Sequence, residues 1–188
     1  MAEPSFRSSA TASLPGRSSR TAATHLLACE AVATEAERCA HFRIRHQVFV
    51  IEQGMFGGSY GGAGGAGGDD TDGHDDDPAT IHVIGRADET ICGTVRLYPL
   101  GAGAGADGRW KGDRLAVLDS YRHLGLGAPL VRFAVSAAAR LGGREMEAFI
   151  QPANIAFFRW LGWERTGDLV DYAGLPHQRM LIDLTRPT

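Results

Sequence analysis

Arg122, Gly125 and Gly127 stand between a short apolar run, Leu115 to Leu118, and an apolar-striped segment that opens with Pro129. A strand that turns through glycines into a helix aims several backbone N–H groups at one point, with the positive end of the helix behind them. Glycine lets the backbone approach a ligand closely, and arginine adds charge-assisted hydrogen bonds to phosphate oxygens. The chemistry this spacing suits is phosphate binding. Leu130 takes the place of the third glycine of a dinucleotide fingerprint, and no Gly-Lys-Ser/Thr of a nucleotide-triphosphate loop is present. By spacing alone, a phosphate cradle and a purely structural turn both remain open.

Other side chains could move protons. Glu52 follows the apolar residues Val48, Phe49 and Ile51, whose company would tune a carboxylate as a general base for an amine; the alternative is a solvated glutamate or one paired with Arg45. His82 on a strand and His177 after a turn-forming Pro176 are of the type suited to acid–base work near neutral pH, although a lone histidine is commonly structural. Gln151, at the end of a strand, is placed to orient an acceptor. The acidic run Asp69 to Asp77 lacks the ligand set of a calcium loop and is expected to be a solvated loop.

The elements that must position these residues follow from patterning. Apolar His25 to Val32 predicts a strand, and Thr34-Glu-Ala-Glu37 has capping-box spacing that starts a helix running to about Val48. Thr80 to Arg86 and Ile91 to Leu97 alternate as two strands of a hairpin. Leu115 to Leu118 predicts a short strand. Leu130, Ala134, Ala137, Ala138 and Leu141 form one apolar helix face, closed by Gly142-Gly143. Glu145 to Gln151 predicts a strand, Ala153 to Leu161 a short helix, and Trp163 to Tyr172 and Gln178 to Leu184 two further extended segments. Glycine-rich 54–68 and the stretch Pro99 to Asp113 are expected to be loops. The order predicts an α/β fold, a mixed sheet with helices on both faces.

The segment around Arg122, Gly125 and Gly127 resembles motif A of the GNAT N-acetyltransferases, Arg/Gln-x-x-Gly-x-Gly/Ala between strand and helix. Asn154-Ile-Ala-Phe-Phe-Arg-Trp-Leu-Gly-Trp163 resembles motif B of the same family. The resemblance implies a mostly antiparallel central sheet and acetyl-CoA, or another acyl-CoA, as cosubstrate, with no metal. It implies that the backbone of Leu115, Ala116 and Val117 holds the pantetheine arm. Arg122, His123, Leu124, Gly125, Leu126, Gly127 and Ala128 would cradle the pyrophosphate, and Asn154, Phe157 and Phe158 would line the far side of the cleft. Many family members carry a tyrosine where Phe158 stands; that tyrosine protonates the leaving thiolate, and phenylalanine has no proton to give.

Phe42-Arg-Ile-Arg45-His-Gln-Val48-Phe49-Val-Ile-Glu52-Gln53 resembles the branch nearest the acyl-homoserine-lactone synthases, the nitrogen-starvation-associated acetyltransferases. The catalytic candidates are Glu52, His82 and His177, and the substrate candidates Arg45 and Gln151. The inserted glycine run 57–68 departs from the branch pattern. The implied reaction is transfer of acetyl to the amine of a small molecule. The alternatives are an acyl-homoserine-lactone-type synthase, a non-catalytic acyl-CoA sensor and an NAD or nucleotide-binding domain.

Bulk properties bound these readings. The chain has 188 residues, 44% of them apolar, with a net charge of −3, which suits one cored domain and argues against a nucleic-acid binder. Residues 1–23 are rich in Ser, Ala, Thr and Arg and are expected to be a disordered tail, with a transit peptide the alternative; 24–187 is expected to be the acetyltransferase domain, its Gly/Asp-rich loop at 54–78. The three cysteines have no paired spacing and suggest reduced thiols in a cytoplasmic protein. No apolar run spans a membrane, and a monomer or homodimer is expected.

Overall fold

The computed structural model describes residues 24–56, 70–101, 107–172 and 174–186. The expected tail 1–23 and the glycine run 57–68 lie outside the described residues. The chain forms β1 (Leu27–Ala31), α1 (Glu35–Arg45), a π-helical continuation (His46–Glu52), β2 (Ile81–Ala87), β3 (Thr90–Pro99), β4 (Arg109–Val117), a 3₁₀ turn (Asp119–Leu124), α2 (Gly127–Arg140), β5 (Glu145–Ile150), α3 (Ile155–Trp160), β6 (Glu164–Tyr172) and β7 (Leu175–Asp183). The strands make one seven-stranded sheet in the order β1-β2-β3-β4-β5-β7-β6, antiparallel throughout except for the parallel pair β4 and β5.

Local signals account for most of these elements. The Thr34 hydroxyl accepts from the Glu37 amide at 3.2 Å, and the Glu37 carboxylate accepts from the Thr34 amide at 3.1 Å, a complete capping box. The helix does not stop near Val48. It widens after Arg45, with the Gln53 amide bonded to the Val48 carbonyl, and carries on to Glu52. The widened turns bury Val48 and leave Ile51 at 61% exposure.

β4 is the main departure from the predicted elements. It begins at Arg109, inside the stretch expected to be a loop, and β3 reaches Pro99 to pair with it. The glycines and charges of this stretch hide a real alternation, since Trp110 and Gly112 are buried and Arg109 and Lys111 are less so. β7 likewise starts at Leu175, ahead of the extended segment expected from Gln178.

The two faces of the sheet are covered by different helices. Ala116 packs with Ile44 and Val48 of the first helix, while its neighbour Val117 packs against the core beneath α2. Adjacent strand residues point to opposite faces, so α1 and α2 lie on opposite sides. α2 buries Leu130, Ala134, Ala137 and Ala138 as patterned, but Leu141, at its C-cap, is 61% exposed. The helix sits close to the sheet because Gly93 has no side chain: a Cβ there would stand 2.9 Å from Leu130 Cδ1 and 3.0 Å from Leu126 Cδ2. No helix among the described residues is long and apolar enough to cross a membrane.

Candidate active site

The site begins where two strands part. β4 and β5 pair only at Arg109 with Glu145, Trp110 with Met146 and Lys111 with Glu147. Beyond these residues they diverge, leaving the β5-facing backbone edge of β4 without a strand partner. On its other edge β4 carries a bulge. Thr94 pairs with Ala116 and Arg96 with Asp113, so Val95 faces both Arg114 and Leu115. Arg114 takes a φ of 53°, a left-handed value uncommon for an arginine.

A cleft fills the opening. Its walls include Gly112 to Leu115 of β4, Ala148 to Gln151 of β5 and its end, Asn154 and Phe158 of the following turn and helix, and Phe49, Gln53 and Met55 from the π-helical continuation and the turn after it. Gln151 donates to Gln53 Oε1 at 3.0 Å, linking the two sides. At the C-terminal end of β4 the chain passes through the 3₁₀ turn into α2. Gly125 adopts a φ of 76°, open to glycine without strain. Among the described residues the amides of Leu126 and Gly127 have no backbone acceptor, as expected at a helix start. A Cβ on Gly127 would lie 3.6 Å from Phe157, so α3 stands directly across the cleft from this turn.

A splayed parallel pair with a bulged strand, opening onto a glycine turn at a helix N-terminus, suits an extended ligand with a phosphate at one end. The model of the acetyltransferase (GNAT) family matches residues 56–163, more than half of the chain. This chain belongs to the acetyltransferase (GNAT) family. No curated protein sequence matches it. Among solved structures the chain is similar to a protein from Lactobacillus plantarum, at 23% identity and a TM-score of 0.67 over 84% of this chain and 98% of that one. It is also similar to an acyl-CoA N-acyltransferase from Pseudomonas aeruginosa, at 23% identity and a TM-score of 0.65 over 82% and 97%. A CoA-dependent acyl-homoserine lactone synthase, BjaI, matches at 18% identity and a TM-score of 0.64 over 85% and 83%. At these identities the likeness is one of fold.

The fold places the sequence-predicted residues unevenly. Leu115, Gln151, Asn154, Phe158 and His177 line the cleft. Phe158 is also core, edge-on to Phe157 and Trp163. Arg122 sits at the mouth. Its Nε donates to the Val117 carbonyl at 3.0 Å, its Nη1 to Asp119 at 3.0 Å, and its Nη2 forms an ion pair with Glu52. Glu52 therefore has a charged partner at the mouth in place of the apolar surroundings its neighbours suggested. His123 is exposed beside it, and Leu124 is half-buried.

Arg45 and His82 are not in the cleft. Arg45 is wholly buried, with Nε bonded to Asp70 Oδ2 at 2.6 Å and Nη1 to Asp75 Oδ1 at 2.6 Å. His82 is buried beside His41, their Nδ1 and Nε2 atoms 3.3 Å apart, with its own Nε2 at 3.2 Å from the Asp75 carbonyl. The acidic run is correspondingly tied down at Asp70, Asp72 and Asp75 in place of being solvated there. Asp70 is 1% and Asp75 4% exposed. Arg96 donates to Asp113 at 2.7 and 2.8 Å and to Asp72 and Asp75 at 2.7 Å each, and Arg114 donates to Asp72 at 3.1 Å. Burial opposes ionisation of Asp75, but the Arg45 guanidinium, the Asp72 amide and Arg96 outweigh it and hold the carboxyl well below the usual range. This network staples residues 70–75 to α1, β3 and β4 and braces the bulge that shapes the cleft.

Three further cleft residues are not among the sequence candidates. Phe149 and Tyr172 stack with planes 3° apart and centroids 5.7 Å apart, Lys111 Nζ stands 5.0 Å from the Phe149 centroid, and Tyr172 Oη accepts from Arg114 Nη1 at 3.2 Å. Alternation along β5 could have flagged Phe149, because Ala148 and Ile150 on either side of it enter the α2-side core. Tyr172 reaches the cleft only through the β5-β7-β6 strand order.

Proposed function

We propose that the protein transfers acetyl from acetyl-CoA to the amine of a small molecule. The observation that carries this reading is the parting of β4 from β5 after Lys111 and Glu147, with its bulge at Arg114–Leu115 and the Arg122–Ala128 turn at its open end. The turn supports a pyrophosphate through the Leu126 and Gly127 amides and Arg122. The unpartnered edge of β4 at Leu115, Ala116 and Val117 supports the pantetheine arm and carbonyl, and Asn154, Phe157 and Phe158 close the opposite wall.

In this reading the amine nitrogen attacks the thioester carbonyl. Backbone N–H groups of β4 receive the negative charge that develops on the carbonyl oxygen. The carbon–sulfur bond then breaks, the amine proton leaves to a base and the thiolate takes a proton from an acid. His177 is the base we assign. Its Nδ1 stands 2.9 Å from the Leu175 carbonyl, which can only accept, so Nε2 is the basic nitrogen. Tyr172 is the acid. Its hydroxyl accepts from Arg114 and keeps its own proton for donation, supplying what Phe158 lacks. Glu52 is assigned to the mouth, where it pairs with Arg122. Orientation in the cleft supplies much of the acceleration.

The test is release of free thiol from acetyl-CoA and longer acyl-CoA donors in the presence of a mixed amine panel. The reading expects thiol release and N-acetyl product, fastest with acetyl-CoA. Faster turnover of long-chain donors would move the donor assignment to a longer acyl group, and binding of acetyl-CoA without thiol release would favour the sensor.

A further inference from the structure

We propose that Lys111 makes this cleft selective for amines that also carry a carboxylate. The proposal rests on the acyltransferase reading of the same cleft. Lys111 is the last residue of β4 paired to β5, and it lines the cleft at its closed end. Its ammonium lies over two stacked rings, 5.0 Å from the Phe149 centroid and 5.5 Å from that of Tyr172. Tyr172 in turn meets the His177 ring edge-on at 5.3 Å, so the cation adjoins the groups assigned to proton transfer.

The carboxylates that would ordinarily neutralise this lysine are committed elsewhere. Glu147, its register partner on β5, takes both contacts of Arg179 at 2.6 and 2.9 Å. Asp113, two residues along β4, is held by Arg96 at 2.7 and 2.8 Å. Among the described residues no carboxylate forms an ion pair with Lys111. Arg114, the other cation on this wall, is matched by Asp72 at 3.1 Å and Asp70 at 3.4 Å. The unmatched positive charge of the cleft is therefore the Lys111 ammonium.

Ring faces attract an ammonium less strongly than a carboxylate does in a water-poor site. An entering carboxylate completes the set and fixes the acceptor's orientation. The phosphates of the donor do not compete for this position. Lys111 lies six residues of strand, about 20 Å, from Val117, where the Arg122 turn begins.

The test compares matched amines in the full chain: phenylalanine against phenethylamine, and glycine to 6-aminohexanoate against alkylamines of the same length. Wild-type kcat/KM is expected to favour a carboxylate-bearing member by tenfold or more. Lys111→Met, which keeps apolar cover over the rings, is expected to lower that ratio at least tenfold, and Lys111→Arg to restore part of it. A preference for the carboxylate-free amines, or a ratio unmoved by Lys111→Met, would overturn the proposal. Absence of thiol release with every amine would count against the acyltransferase reading instead. In that event equilibrium binding of the same pairs to the CoA-loaded protein decides on Lys111: tighter binding of the carboxylate-bearing member in wild type alone supports it, and equal binding overturns it.

Discussion

Glu52 and Arg122, the end of the π-helical continuation and the turn before α2, form an ion pair across the mouth of the cleft. A phosphate that reaches Arg122 must compete with that carboxylate. Pairs at partly exposed sites are worth about 0.2–1 kcal/mol. Glu52→Gln is therefore expected to tighten CoA binding by up to about fivefold in calorimetry. Weaker binding in this variant would mean that Glu52 positions Arg122 for the phosphate.

Tyr172→Phe removes the hydroxyl that faces the cleft and keeps the ring stacked on Phe149. General-acid groups contribute about 100-fold or more to rate. The variant is expected to lose about 100-fold in kcat with little change in the affinity for CoA, measured by thiol release and calorimetry. A kcat within threefold of wild type would remove Tyr172 from the mechanism.

How much of this was legible in the sequence depended on the range of the interactions. The capping box at Thr34 and the turn at Arg122, Gly125 and Gly127 are written in neighbouring residues, and the structure forms the same elements there. β4 was obscured because glycine and charge suppress the apolar alternation at Arg109 to Asp113, and its bulge shifts the alternation at Arg114. Arg45 and His82 look like site residues because both are polar in apolar segments. Asp70 and Asp75 lie 25 and 30 residues from Arg45, and His41 lies 41 residues from His82, so only the folded arrangement shows that both side chains are consumed there. Lys111 and Tyr172 carry no motif at all. They become notable through strand order, which places them on one wall.

The buried network predicts a stability effect. Asp75 accepts from Arg45 at 2.6 and 3.1 Å and from Arg96 at 2.7 Å. Removing one partner of a buried ion pair leaves the other charge uncompensated, at a cost of about 3–5 kcal/mol. Asp75→Asn is expected to lose that much in urea unfolding. A loss under about 1 kcal/mol would show that the network is not stabilised by this carboxylate.

Acid should act on the fold through His41 before it acts on the aspartates. Burial, with Arg45 and His82 nearby, lowers the His41 pKa from 6.5 to about 3. The folded value lies below the unfolded one, so this contribution to stability is full above pH 6.5 and is lost as pH falls towards 3. The slope is about 1.4 kcal/mol per pH unit for this group. His82 is shifted in the same direction, chiefly by burial. Asp72 and Asp75 are depressed as well, so their contribution is full above the ordinary carboxylate range and is lost as pH falls through and below it. Stability measured by urea unfolding is expected to decline from about pH 6.5 downwards, less steeply in His41→Gln. A curve flat to pH 4.5 would contradict the neutral buried histidine.

The central claim is that the turn from β4 into α2 holds the pyrophosphate of CoA, and calorimetric titration of CoA into wild type and Arg122→Ala tests it most directly. Loss of charge-assisted hydrogen bonds costs about 1.5–3 kcal/mol. The account predicts one CoA per chain in wild type and at least tenfold weaker binding in the variant. Equal affinity in a folded Arg122→Ala protein, or no CoA binding by wild type, would contradict it.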